Sequence, residues 1–431
     1  MKKISSQGFS HHILLPAIAI LVVGTIGAYL TFASKAATPA QNPAPKIGWV
    51  DDGPYADKTN ATPSMTHNYT EGGTTNPYYF ALNDVGMRHV VLNVGLRELL
   101  IVNSTTGATT YRAKSIENRL ANVIAWNSVH PDKKLTVHLR FHVGERAPAA
   151  WKVLAGTVVL KDPQGHVTDD TTVPRWWAKK NDKYLYDGLY SSAMAALATA
   201  VKNINNNPAT LGIIGSVNAP GAAPNYPEPM VLYGYSAENA AALKAKGFTP
   251  KEHDRFMGWF PSASAPFKGI VKVELAVNPY QNLTDSGEID KSKLTRYQTV
   301  ANTFIKAMGS DAVLANYSAR EEYFTPAGDE AYRTMYSWML ETAKKNRLWT
   351  GLQLARPHKI SSNDPTHIQA WNKVATMAAN KGFNFVETSG PRVSPTSGGD
   401  ANVWPQSYSD GPTDVATMKA IQTKLLSVPH P

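Results

Sequence analysis

Residues 312–355 read AVLANYSAREEYFTPAGDEAYRTMYSWMLETAKKNRLWTGLQLA. Ala312–Ser318 and Trp349–Ala355 are short runs with strand character, apolar on consecutive positions, as in strands covered on both faces. Between them Tyr332, Met335, Tyr336, Met339 and Ala343 recur at three- and four-residue spacing, the signature of one buried helix face. A strand, a helix and a strand in that order form a parallel pair joined by a right-handed crossover.

The same alternation extends in both directions. Further strand-like runs are Lys46–Val50, Arg88–Gly95, Leu135–Val143, Leu211–Asn218, Gly269–Asn278 and Phe383–Thr388. Other helix faces are Leu189, Ala193, Leu197 and Val201; Ile368, Trp371, Val374, Ala375 and Ala378; and Val415, Met418, Ile421 and Leu425. Ser292 before Leu294, and Asp364-Pro365 before Ile368, are helix-starting signals. Eight such strands predict a closed (β/α)8 barrel with enlarged loops over residues 46–431, read as one domain. An open doubly wound sheet is the competing arrangement. It would place a glycine-rich turn after its first strand, where this chain has Asp51-Asp52-Gly53-Pro54.

The amino-terminal end carries a separate signal. Lys2 and Lys3 precede Ile13–Phe32, which holds no charge, and Ser34-Lys35-Ala36 offers small residues at a cleavage site. Residues 1–36 therefore read as a signal peptide or an uncleaved membrane anchor, with the remainder exported. Residues 37–45, ATPAQNPAP, read as an extended linker because their prolines forbid helix.

Composition excludes several chemistries. With no cysteine in the chain, disulfides, thiolate metal sites and cysteine nucleophiles are ruled out. The formal net charge is +10, but no basic run or recognised module points to nucleic acid. The histidines are scattered without a His-Glu-x-x-His pattern, so no metal or other cofactor is expected. A Gly-x-Ser-x-Gly nucleophile elbow is absent too.

In a barrel of this kind, chemistry sits at the carboxyl ends of the strands. The residues falling there include Asp51 and Asp52, Arg140 and His142, Asn278 and Tyr280, Asn316, Gln353 and Glu387. The long loops add Trp176, Trp177 and, flanked by prolines, Glu228. Carboxylates and amides suit sugar hydroxyls, and aromatic rings suit the apolar faces of sugars. Cleavage of a glycosidic bond needs two carboxyl groups, one of them protonated.

Five stretches, HLRFHVGERAPAAW, PRWW, IIGSVNAPGAAPNYPEPM, AVNPYQ and VLANYS, lie within about residues 135–318. Together they resemble the (β/α)8-barrel glycoside hydrolases, in particular a poorly characterised bacterial branch. The resemblance implies a carbohydrate substrate and a general acid at the end of the fourth strand, where Glu228 is the matching Glu. It departs from the best-known clan in two ways: no Asn-Glu pair stands at the fourth strand, and the seventh strand offers Gln353 in place of a nucleophilic Glu. The partner carboxylate then falls to Glu387, with Glu321, Glu322, Asp51 and Asp52 as the other sources. Glu387 has a second reading, as a structural ion pair with Arg140 or Arg356. The whole chain has one too, as a non-catalytic carbohydrate-binding surface protein on the same scaffold. Arg140, His142, Trp176, Trp177, Asn278, Tyr280, Asn316, Gln353, Asp51 and Asp52 are the expected substrate-binding residues.

Overall fold

The computed structural model describes residues 46, 48–51, 70–71, 74–75, 82, 85–161, 172–221, 237–282, 284, 289–355, 368–388, 412–429 and 431. Eight parallel strands close into a barrel: β1 (Gly48–Asp51), β2 (His89–Gly95), β3 (Thr136–His142), β4 (Ile214–Asn218), β5 (Lys272–Ala276), β6 (Ala312–Ala319), β7 (Trp349–Leu354) and β8 (Phe385–Glu387). Each pairs with the next in sequence, and β8 returns to β1. The doubly wound alternative is thereby excluded.

Helices fill the crossovers: α1 (Ala121–Val129), α2 (Leu185–Asn206), α3 (Pro250–Trp259), α4 (Arg296–Met308), α5 (Glu330–Asn346), α6 (Ile368–Lys381) and, after β8, α7 (Pro412–Ser427). The α5 face expected from spacing is the buried one, Tyr332, Met335, Tyr336, Met339 and Ala343. Asp329 starts that helix by accepting the Tyr332 amide on Oδ1, and Arg347 ends it in the left-handed conformation. Ser292 does not start α4. It stands in a short 3-10 turn, Lys291–Lys293, capped by Asp290. Asp364-Pro365 lies outside the described residues.

Strand pleating divides the core in two. Val50, Val91, Val313, Ala315, Tyr317 and Phe385 form a cluster inside the barrel, while Trp49, Leu92, Leu314 and Leu352 join the larger one shared with the helices. Room inside is tight. A Cβ on Gly351 would lie 2.2 Å from the Phe385 ring, so glycine at 351 is what admits phenylalanine at 385. The last helix closes the structure on the first strand: the Trp49 indole donates to Met418 O at 3.1 Å, and the Trp49 amide donates to Gln422 Oε1 at 2.6 Å.

An eight-stranded barrel closes with a stagger of about one residue per strand. Followed around the observed pairing, that stagger puts Val50, His138, Glu274 and Gly351 at one level. Glu387, Val91 and Ala315 stand one level nearer the carboxyl ends, and Arg140, Ala276 and Gln353 one further still.

Candidate functional site

Polar groups occupy the barrel axis where an apolar filling is usual. Glu274 and Glu387 are wholly buried, Arg140 is 2% exposed and Lys46 3% exposed. Burying a charge unpaired costs several kcal/mol (roughly), so partners are required. They are present. Lys46 Nζ lies 2.7 Å from Glu274 Oε2 and 2.9 Å from Glu387 Oε2. Arg140 donates to Glu387 Oε1 at 2.5 Å, and Gln353 Nε2 donates to the same oxygen at 2.8 Å. The Tyr317 hydroxyl donates to Glu274 Oε1 at 2.5 Å, while its ring lies 4.7 Å from the Arg140 guanidinium carbon. The set balances two cations against two carboxylates.

This environment fixes protonation. Burial alone would push the Glu387 carboxyl up; Arg140 and then Lys46 outweigh it, and the net shift is downward. Glu387 is therefore an anion at neutral pH. Burial, with Lys46 and Arg140 nearby, drives His138 well below the usual imidazole value; burial, with Lys46 and Arg88, holds His89 at about 3. Both are neutral, bonded to Ser216 Oγ at 2.8 Å and to Thr136 Oγ1 at 2.5 Å. The Tyr317 phenol is raised by burial and by Glu274, so it remains a donor.

Toward the carboxyl ends the axis opens on Asn93, which is exposed, and on half-buried His142 and Gln353. His142 Nε2 lies 3.0 Å from Asn93 Oδ1. Of the expected site residues, Arg140, Gln353 and Glu387 are thus brought into one bonded group, with His142 at the end of the strand that carries Arg140. Lys46, Glu274 and Tyr317 were not anticipated. Glu274, a lone acid inside the apolar run Gly269–Asn278, was the available signal, because a buried carboxylate demands a cation.

Other expected residues stand elsewhere. Asn316 points outward from β6, donating to Val277 O at 2.8 Å and accepting from Tyr336 OH at 2.9 Å, so it ties strand to helix and does not face the axis. Asn278 is buried and accepts the Tyr280 amide at 2.9 Å, shaping the turn after β5. Tyr280 donates to Asp329 Oδ2 at 2.7 Å and lines a cavity of about 510 Å3 with Tyr297, Leu294 and Glu330. Trp176 and Trp177 pack edge-to-face, 4.5 Å between centroids, against Phe248, with Phe256 against Trp176. At 0% and 6% exposed they offer no open ring face to a sugar; both are core residues, against the expectation from their loop position. Asp51 ends β1, but its side chain, Asp52, Glu228 and Arg356 lie outside the described residues. Among the described residues no three His, Cys, Asp or Glu side chains converge as a metal would require.

Fold and site together define a (β/α)8-barrel protein with a charge-balanced polar axis. No protein-family model and no curated protein matches the chain. Solved structures do. The endo-1,4-beta-mannanase from Rhizomucor miehei is 10% identical, with 89% of this chain and 98% of that one covered at a TM-score of 0.47. The catalytic domain of beta-amylase from Paenibacillus polymyxa is 11% identical, covering 80% and 93% at 0.44. Endo-glycoceramidase II from Rhodococcus sp. is 13% identical, covering 88% and 80% at 0.45. At such values these likenesses bear on neither substrate nor mechanism.

Proposed function

We propose that this protein is an exported glycoside hydrolase in which Glu387 is the ionised carboxylate and Glu228 the proton donor. The observation that carries the reading is the state of Glu387: a carboxylate at the carboxyl end of a barrel strand, held as an anion by Arg140 and Lys46. An anion cannot protonate a leaving oxygen. Its charge state is the one that a nucleophile, or a base for the attacking water, requires. The complementary proton must then come from a second carboxyl group, which the sequence supplies as Glu228. Export rests on residues 1–36; among the described residues no helix is long and apolar enough to cross a membrane, and Ile13–Phe32 lies outside them.

One observation favours a second reading. Both Glu387 oxygens are engaged by Lys46, Arg140 and Gln353, as in a structural ion pair, which suits the non-catalytic sugar-binding alternative. Activity of the full chain, Glu228→Gln and Glu387→Gln on chromogenic glycosides and native polysaccharides separates them, with circular dichroism to verify folding. Hydrolysis abolished in both folded variants supports the enzyme. Sugar binding by calorimetry with no hydrolysis in any of the three supports the binding protein.

A further inference from the structure

Lys46 belongs to no strand. It precedes β1, at the amino end of the barrel, directly after the proline-rich linker. Gly48, at φ +70°, turns the chain between Lys46 and Trp49, a conformation that side chains other than glycine rarely adopt. The lysine stem runs into the barrel, its ammonium 4.5 Å from the centre of the Phe385 ring, and ends between Glu274 and Glu387. Arg140 and Gln353 bind the other oxygen of Glu387 from a level nearer the mouth.

We propose that Lys46 is a positioning residue: from outside the strands it clamps Oε2 of Glu387 to Oε2 of Glu274 and thereby turns Oε1 toward the mouth of the barrel. As a claim about catalysis this rests on the reading of Glu387 given above; as a claim about the carboxylate it stands on geometry. The charged and titratable groups that face this carboxylate, among the described residues, are Lys46, Arg140 on β3, Glu274 on β5 and Tyr317 on β6, with neutral His89 and His138 beneath. Arg140 alone would leave Oε2 without a cation. Lys46 is therefore needed for the carboxylate to be held at both ends.

The test is the titration of Glu387 in the full chain, followed by carbon NMR with side-chain carboxyl-labelled glutamate and assigned with Glu387→Gln. Lys46→Met removes the ammonium and should raise the Glu387 midpoint by about one pH unit or more, since an opposite charge at this range lowers a carboxyl by about 1–3. If Lys46→Met does not fold, Lys46→Met with Glu274→Gln keeps the interior neutral, and its Glu387 midpoint should lie above that of Glu274→Gln alone, which loses the repelling carboxylate but keeps the ammonium. An unmoved midpoint in a folded variant overturns the inference, whatever the activity. The acid limb of any hydrolysis should move with the midpoint. A limb that stays while the midpoint moves counts against Glu387 as the reacting carboxylate and leaves the clamp intact.

Discussion

Arg140 on β3 and Glu387 on β8 stand 247 positions apart in sequence and meet inside the barrel at 2.5 Å, both closed off from solvent. No stretch of chain near either residue contains the other, so the pair exists only once the barrel has closed. Each is costly to bury without its partner, and this makes the contact a sensor of closure. Arg140→Met should destabilise the fold by about 3–5 kcal/mol, because a buried carboxylate loses its principal partner. Adding Glu387→Gln to that variant should restore part of the loss. Urea unfolding of the two single variants and the double gives the coupling, and a coupling near zero would count against the pair as a closure contact.

The buried imidazole and carboxylate also set an acid limit. His89 takes up its proton at about 3 in the folded protein and near 6.5 when unfolded. Its contribution is complete above about pH 6.5 and is lost as pH falls toward 3. Glu387, lowered on balance, acts in the same direction further down: its contribution is present above the ordinary carboxylate range and is lost as pH falls through its folded value. The urea midpoint should therefore fall between pH 7 and pH 4, each such group adding up to about 1.4 kcal/mol per pH unit. In His89→Gln the fall should be shallower. A slope identical to that of the natural protein would show that His89 is not the group being titrated.

Gly351 is held by Phe385, not by its own backbone. Gly351→Ala places a methyl group against the ring and should cost about 1–3 kcal/mol by overpacking. Combining it with Phe385→Leu should recover much of that, measured as the change in thermal midpoint. Recovery fails if some other contact excludes the methyl.

The barrel was legible in the sequence because strand and helix periods differ, and runs such as 312–355 switch cleanly between them. Which way each side chain points was not. Parallel strands buried on both faces are apolar on both, so nothing local shows that Tyr317 points inward while Asn316 points outward to Tyr336. Arg140, Gln353 and Glu387 were picked out by strand position alone, and the structure joins them in one bonded group. Lys46 was invisible for the opposite reason: it precedes the first strand, at the amino end, and only its side chain enters the barrel to reach Glu274 and Glu387. Loop position also misled for Trp176 and Trp177, since Phe248 and Phe256, which cover them, lie more than 70 residues later in the chain.

That packing gives its own expectation. Trp176→Ala should destabilise the protein by about 3–5 kcal/mol through the cavity it leaves. Sugar affinity of the folded fraction, measured by calorimetry below the unfolding range, should not change. A drop in affinity without a drop in stability would return Trp176 to the binding surface.

Asn93 and His142 make the opposite case. They sit at the carboxyl ends of neighbouring strands, bonded to each other at 3.0 Å, with Asn93 exposed. Neither carries the core, so Asn93→Ala should alter stability by no more than about 0.5 kcal/mol. If the mouth above Arg140 and Gln353 is where a sugar enters, this pair is among the first polar groups that it meets. Removing the amide should cost the ligand a hydrogen bond and take away one contact that orients His142. The expected loss of affinity, or of kcat/KM, is about three- to tenfold, the equivalent of one neutral hydrogen bond. His142→Ala should produce a similar loss, and the double variant less than the product of the two, because the residues orient each other. Unchanged binding in all three variants would move the sugar site away from β2 and β3 altogether.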